Sequence, residues 1–92
     1  MGREIAPLVV GNWKMFMGPS ETAPFCRALV RRLGAVRGVS IVVCPPSVSL
    51  AEAVRALAGA GISVYAQNAH WQETGPFTGE VSPRMLQEAG AT

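Results

Sequence analysis

The run Leu8-Val9-Val10-Gly11-Asn12-Trp13-Lys14 carries the strongest structural signal in the chain. Apolar, strand-forming residues stop abruptly at an amide, an indole and an ammonium group. Side chains alternate along a strand, so Val10, Asn12 and Lys14 are expected on one face and Val9 and Trp13 on the other. Read as a buried parallel strand, the run presents Asn12 and Lys14 together at its C-terminal end. Open α/β sheets and barrels place their ligand sites at that end. The same pattern fits a lysine that simply marks where the chain leaves the core. Periodicity alone leaves both readings open.

Working outward, Met15-Phe16-Met17-Gly18-Pro19 is a turn signal. A helix is expected over 21–33, capped by Ser20 or Thr22. Thr22 suits Pro24 better, because the missing N–H then falls among the unpaired donors of the first turn. Phe25, Leu29 and Leu33 recur every four residues, with Cys26 and Val30 beside them, and Gly34 supplies the stop. A nearly continuous β-branched run over 39–44, closed by Pro45-Pro46, reads as a second strand covered on both faces. Ser49 and Glu52 have capping-box spacing and open a helix over 49–58, with Leu50, Val54 and Leu57 inward. Gly59 and Gly61 end it, and a third strand is expected over 62–68.

Strand, helix, strand, helix, strand in this order is two βαβ units, which implies α/β architecture with parallel strands and right-handed crossovers. Residues 69–81 lose all periodicity. A loop of that length is usually functional or disordered, and Trp71 and Phe77 favour an ordered one packed on something. Ser82-Pro83 opens a last helix over 83–89, with Met85, Leu86 and Ala89 inward. Ala91-Thr92 reads as the approach to a fourth strand. The expectation is one domain over 1–92 and no second.

Composition narrows the function. Apolar residues make up 49% of the chain and charged residues 15%, against a usual charged share of about a quarter. Such buried faces want more partner surface than a chain of 92 residues supplies. The net charge is +2, and Arg27, Arg31 and Arg32 read as the solvated face of a helix. No aromatic residues interleave with them, which argues against nucleic acid as a partner. The N-terminus is too short and polar for a signal peptide, and no apolar stretch reaches membrane-spanning length. After Met1-Gly2, Ala6 stands where myristoylation wants Ser or Thr. The two cysteines, Cys26 and Cys44, lack C-x-x-C spacing or a histidine cluster. They read as buried reduced thiols of a cytosolic protein, with neither a metal site nor a disulfide framework.

Few residues are left for chemistry. The nucleotide-binding fingerprints G-x-G-x-x-G and G-x-x-x-x-G-K-[ST] are missing. His70 is the single histidine, and nothing in the spacing brings it near a serine or cysteine nucleophile. Glu73 and Glu80 share the long loop without a cue that they form an acid/base pair. Asn12 and Lys14 at one strand end remain, with Gln67 and Asn68 at another. In a closed parallel barrel those ends meet at one mouth, where an ammonium attracts a substrate phosphate or a developing oxyanion. Two unit charges about 4 Å apart interact by roughly 4 kcal/mol at an effective dielectric near 20 and by about 1 kcal/mol in bulk water. Lys14 therefore becomes a strong electrostatic catalyst only in a walled, dry site.

On these residues the chain resembles the triosephosphate isomerase family over essentially its whole length. Gly11-Asn12-Trp13-Lys14-Met15 is similar to the family's first-strand signature. Cys44-Pro45-Pro46 resembles the end of its second strand and Ala66-Gln67-Asn68 the end of its third. Phe77-Thr78-Gly79-Glu80-Val81-Ser82-Pro83, Met85-Leu86 and Gly90-Ala91-Thr92 resemble the long third loop and the helix after it. The motifs fall in order and at family spacing; Phe16 departs from the asparagine most often found there.

The resemblance implies the N-terminal three βα units of a (β/α)8 TIM barrel, left incomplete, in a cytoplasmic enzyme. The family interconverts dihydroxyacetone phosphate and glyceraldehyde 3-phosphate in glycolysis and gluconeogenesis without metal or cofactor. It is itself a standard illustration of pKa tuning, and that mechanism belongs to the family and not to these residues. Lys14 then corresponds to the lysine that binds substrate and stabilises the enediolate, and Asn12 to the asparagine that helps hold substrate. Gln67, Asn68, Thr78 and Glu80 correspond to the homodimer contact. The family's electrophilic histidine and glutamate base belong to later strands, and His70 is not that histidine. A full barrel runs to about 250 residues, so the isolated chain is expected to be inactive. Other readings stay open: a piece that completes its barrel by binding a separate chain, a small open-sheet domain binding a ligand at Asn12 and Lys14, or another phosphate-handling barrel enzyme.

Overall fold

The computed structural model describes residues 5–92, so the Met1-Gly2 pair weighed for acylation lies outside the described residues. Six elements follow in order: β1 (Leu8–Asn12), α1 (Pro19–Leu33), β2 (Ser40–Cys44), α2 (Ser47–Ala56), β3 (Ile62–Val64) and α3 (Pro83–Glu88). The strands form one parallel sheet in the spatial order β1-β2-β3, with Asn12 opposite Cys44 and Val43 opposite Val64. Parallel neighbours need a crossover, and the two helices that supply it, α1 and α2, pack against each other.

The central strand meets its expectation. Val42 and Val43 point to opposite faces of β2 and are both buried, so this strand is covered on both sides. Trp13, Cys26, Val43, Leu50, Ala53, Leu57, Ile62, Val64 and Leu86 make one core. The first strand differs. As an edge strand, β1 leaves Leu8, Val9 and Val10 exposed by 56, 56 and 48%. The apolar run is therefore a true strand, but nothing among the described residues covers it.

Element ends depart from the sequence reading for identifiable reasons. The strand expected over 8–14 stops at Asn12 because Lys14 takes a left-handed backbone (φ 55°), as does Met17 (φ 73°). Strand alternation therefore ends before Lys14. The helix expected from residue 21 begins at Pro19 with Gly18 as its cap, the Gly18 N–H donating to Glu21 Oε1 at 3.2 Å. Pro24 consequently lies inside α1, and the buried stripe centres on Thr22 and Cys26, leaving Phe25 half-exposed. Ser49 does not cap α2, which starts at Ser47. It is fully buried, and its hydroxyl donates to the Met17 carbonyl at 2.6 Å, while Glu52 pairs with Arg55. Ala53 joins Leu50 and Leu57 on the inward face of α2.

The third strand, expected over 62–68, ends at Val64, and the next acceptor on β2, the Cys44 carbonyl, is taken by the Trp13 N–H and the Gln67 side chain instead of by β3. One further ladder bond follows, from the Tyr65 N–H to the Val43 carbonyl at 3.0 Å. In α3, Ser82 caps as expected, accepting from the Met85 N–H at 3.2 Å, with Pro83 in the first turn. Leu86 is buried, whereas Met85 is exposed. Gly90 (φ 105°) ends this segment so close to α2 that a Cβ would sit 2.6 Å from Val54 Cγ1. Beyond it, the Thr92 N–H donates to the Val64 carbonyl at 2.9 Å, along the free edge of β3.

Candidate functional site at the strand ends

The C-terminal ends of all three strands are joined by one side chain. Gln67, just past β3, donates through Nε2 to the Lys14 carbonyl at 2.8 Å and to the Cys44 carbonyl at 2.8 Å. The Cys44 carbonyl also accepts the Trp13 N–H at 3.1 Å, so the β1–β2 ladder continues one residue past Asn12. From the other side, Asn12 Oδ1 accepts the Lys14 N–H at 2.8 Å. Lys14 is thus gripped at both its peptide groups, in a conformation that L-residues adopt only at a cost of about 1–2 kcal/mol.

This arrangement has a chemical consequence. Asn12 commits one lone pair of its side-chain oxygen to the Lys14 N–H, which orients the amide and leaves its NH2 group as a donor for a ligand. Lys14 is exposed, and it carries a positive charge on a fixed backbone at the C-terminal edge of a parallel sheet, the edge at which such sheets generally bind ligands. Trp13 fills the space beneath, buried and edge-on to Phe25 with ring centroids 5.3 Å apart. Burial pushes the Cys44 thiol up from its ordinary value, and that of Cys26 likewise, so both are neutral, poorly nucleophilic sulfurs.

The other residues singled out in the sequence lie along the connection between β3 and α3. Asn68 Nδ2 donates to Glu80 Oε1 at a long 3.5 Å, and Thr78 is exposed in the same loop. The loop's aromatic residues stack on one another, but Trp71, expected to pack on something, is largely exposed. The His70 ring lies 4.1 Å from Phe77 and 5.7 Å from Trp71, centroid to centroid, and its Nδ1 accepts the Gln72 N–H at 3.1 Å. His70 therefore makes its contacts within its own loop. Sequence reasoning missed the Gln67 bridge and the left-handed Lys14, since neither leaves a trace in hydrophobic periodicity. Among the described residues, no group of three or more His, Cys, Asp or Glu is placed to hold a metal. No helix there is long and apolar enough to cross a membrane.

Parallel βα units with their polar residues gathered at the C-terminal strand ends define a segment of a (β/α)8-barrel protein, here with the barrel not closed. The sequence matches the family profile described as triosephosphate isomerase over residues 7–92. It is 49% identical over 84 residues to the triosephosphate isomerase of Carboxydothermus hydrogenoformans, covering 91% of this chain and 34% of that protein. Against the triosephosphate isomerase of Citrifermentans bemidjiense it is 46% identical over 86 residues, covering 94% of this chain and 34% of that one. The fold superimposes on the crystal structure of triosephosphate isomerase from Bartonella henselae with a TM-score of 0.84 and 38% identity, over 95% of this chain and 35% of the other. The chain belongs to the triosephosphate isomerase family. It spans about a third of the length of the curated relatives it matches.

Proposed function

We propose that these residues serve as the first three βα units of a triosephosphate isomerase, interconverting dihydroxyacetone phosphate and glyceraldehyde 3-phosphate in glycolysis and gluconeogenesis. The observation that carries the reading is the fixed, exposed Lys14 beside Asn12 at the C-terminal strand edge of a family member. In this reading Lys14 is the electrostatic group that offsets the charge of the substrate and of the enediolate, and Asn12 positions the substrate through its NH2 donors. The gain depends on enclosure, because the same charge pair is worth several-fold less in water than in a walled site. The enzyme is cytoplasmic and needs no metal or cofactor.

Proton abstraction needs a base within hydrogen-bond reach of the substrate proton. The family resemblance assigns that glutamate, and the electrophilic histidine, to later strands. The 92-residue chain alone is accordingly inactive. It contributes to turnover by joining the rest of a barrel, a role the uncovered Leu8, Val9 and Val10 favour. Gln67, Asn68, Thr78 and Glu80 contribute to a homodimer contact of the complete protein.

The test is an isomerase assay on two proteins. One is the purified chain. The other is a full barrel in which residues 7–92 replace the matching segment of the Carboxydothermus enzyme. The chain is expected to show no turnover, and the barrel to turn over in a manner lost on Lys14→Ala. Turnover by the chain alone, or a barrel indifferent to Lys14→Ala, defeats the proposal.

A further inference from the structure

We propose that Gln67 is a positioning residue for Lys14, acting on the lysine backbone rather than on substrate; this rests on the reading of Lys14 given above. A residue held at φ 55° without being glycine returns to ordinary backbone space unless something opposes the change. Asn12 opposes it at the Lys14 N–H, within the same strand end. Gln67 opposes it at the Lys14 carbonyl, from 53 residues further along the chain.

The same Nε2 also reaches the Cys44 carbonyl, 23 residues away, which is itself tied to the Trp13 N–H. A single amide group thus references Lys14 to the ends of β2 and β3 together. A carboxylate or a thioether at position 67 has no donor to make either bond, so the job depends on the amide NH2 and not on the length of the side chain. The charge that Lys14 presents is consequently only as well placed as this bridge.

The experiment uses the full barrel carrying residues 7–92. Gln67→Met keeps the length of the side chain and removes the donors. Its kcat is expected to fall about 10–100-fold, the scale of a displacement of about an ångström at a reacting centre, with a smaller change in KM. Combined with Lys14→Ala, it is expected to cost nothing further, because its effect runs through Lys14. Ser49→Ala removes another buried tie, that to Met17, and serves as the control; kcat is expected to hold while stability drops.

Independently of turnover, hydrogen exchange at the Lys14 amide is expected to quicken about fivefold in Gln67→Met. That N–H stays bonded to Asn12 only while Lys14 keeps its left-handed backbone, and losing the carbonyl tie favours departure from it by the scale of one bond. The proposal is overturned by a kcat within about twofold of the parent, by a full additional loss in the Lys14→Ala background, or by unchanged exchange at Lys14. Activity that survives Lys14→Ala alone would instead strike the functional reading, and the exchange measurement would still decide whether Gln67 holds the backbone.

Discussion

Lys14 occupies backbone space that favours glycine, and its side chain has no part in that choice. Lys14→Gly is therefore expected to raise stability by roughly 0.5–1 kcal/mol in urea unfolding while removing the charge. A loss of stability would show that the conformation is not strained. The two buried thiols give a pH dependence of definite sign. Burial raises both above the usual thiol value of about 8.5, so the folded chain keeps those protons longer than the unfolded one. Their contribution is intact below about pH 8.5 and is lost as the pH rises through the folded values. Replacing Cys26 and Cys44 together with alanine is expected to flatten the decline of the urea midpoint above that pH; an unchanged slope would assign it to other groups. At this scale sequence reading went far but not all the way. Asn12 and Lys14 stood out by residue type, yet the amide that ties the Lys14 carbonyl to the end of β2 lies 53 residues from Lys14 and is a glutamine like any other until the strands are in place.

Helices and strands were legible wherever a local pattern dictated them and blurred where a neighbour intervened. The β-branched run of β2 and the Ser82-Pro83 start of α3 are local facts, and both stand. Ser49 has the spacing of a cap, but the turn after β1 claims its hydroxyl, and α2 begins two residues earlier. Thr22 turns inward for a similar reason, its hydroxyl donating to the Gly18 carbonyl at 2.8 Å in place of capping. Packing between elements also sets Gly90, where α3 gives way against α2. Gly90→Ala meets both a positive φ and a clash with Val54. It is expected to destabilise by roughly 1–3 kcal/mol, and Gly90→Ala combined with Val54→Ala should recover part of that loss in thermal unfolding. No recovery would place the whole cost in the backbone.

For the molecule as a whole, the low charge content foretold surface that wants a partner, and β1 shows where it lies. An apolar strand with an open edge is a template for pairing with other chains. The isolated chain is expected to associate with rising concentration, and Val9→Lys to suppress that association in light scattering. In a full barrel the same substitution should instead impair folding, since position 9 is then enclosed. Association that ignores Val9→Lys would locate the sticky surface elsewhere.

The spatial order β1-β2-β3 repeats the order of synthesis. Each strand lies beside the one made just before it, so the sheet can be laid down while the chain is still emerging from the ribosome, with no strand waiting for a partner not yet translated. The Thr92 N–H on the Val64 carbonyl extends that sequence by one rung. Growth of this sheet is vectorial, and its advancing front is the edge of β3.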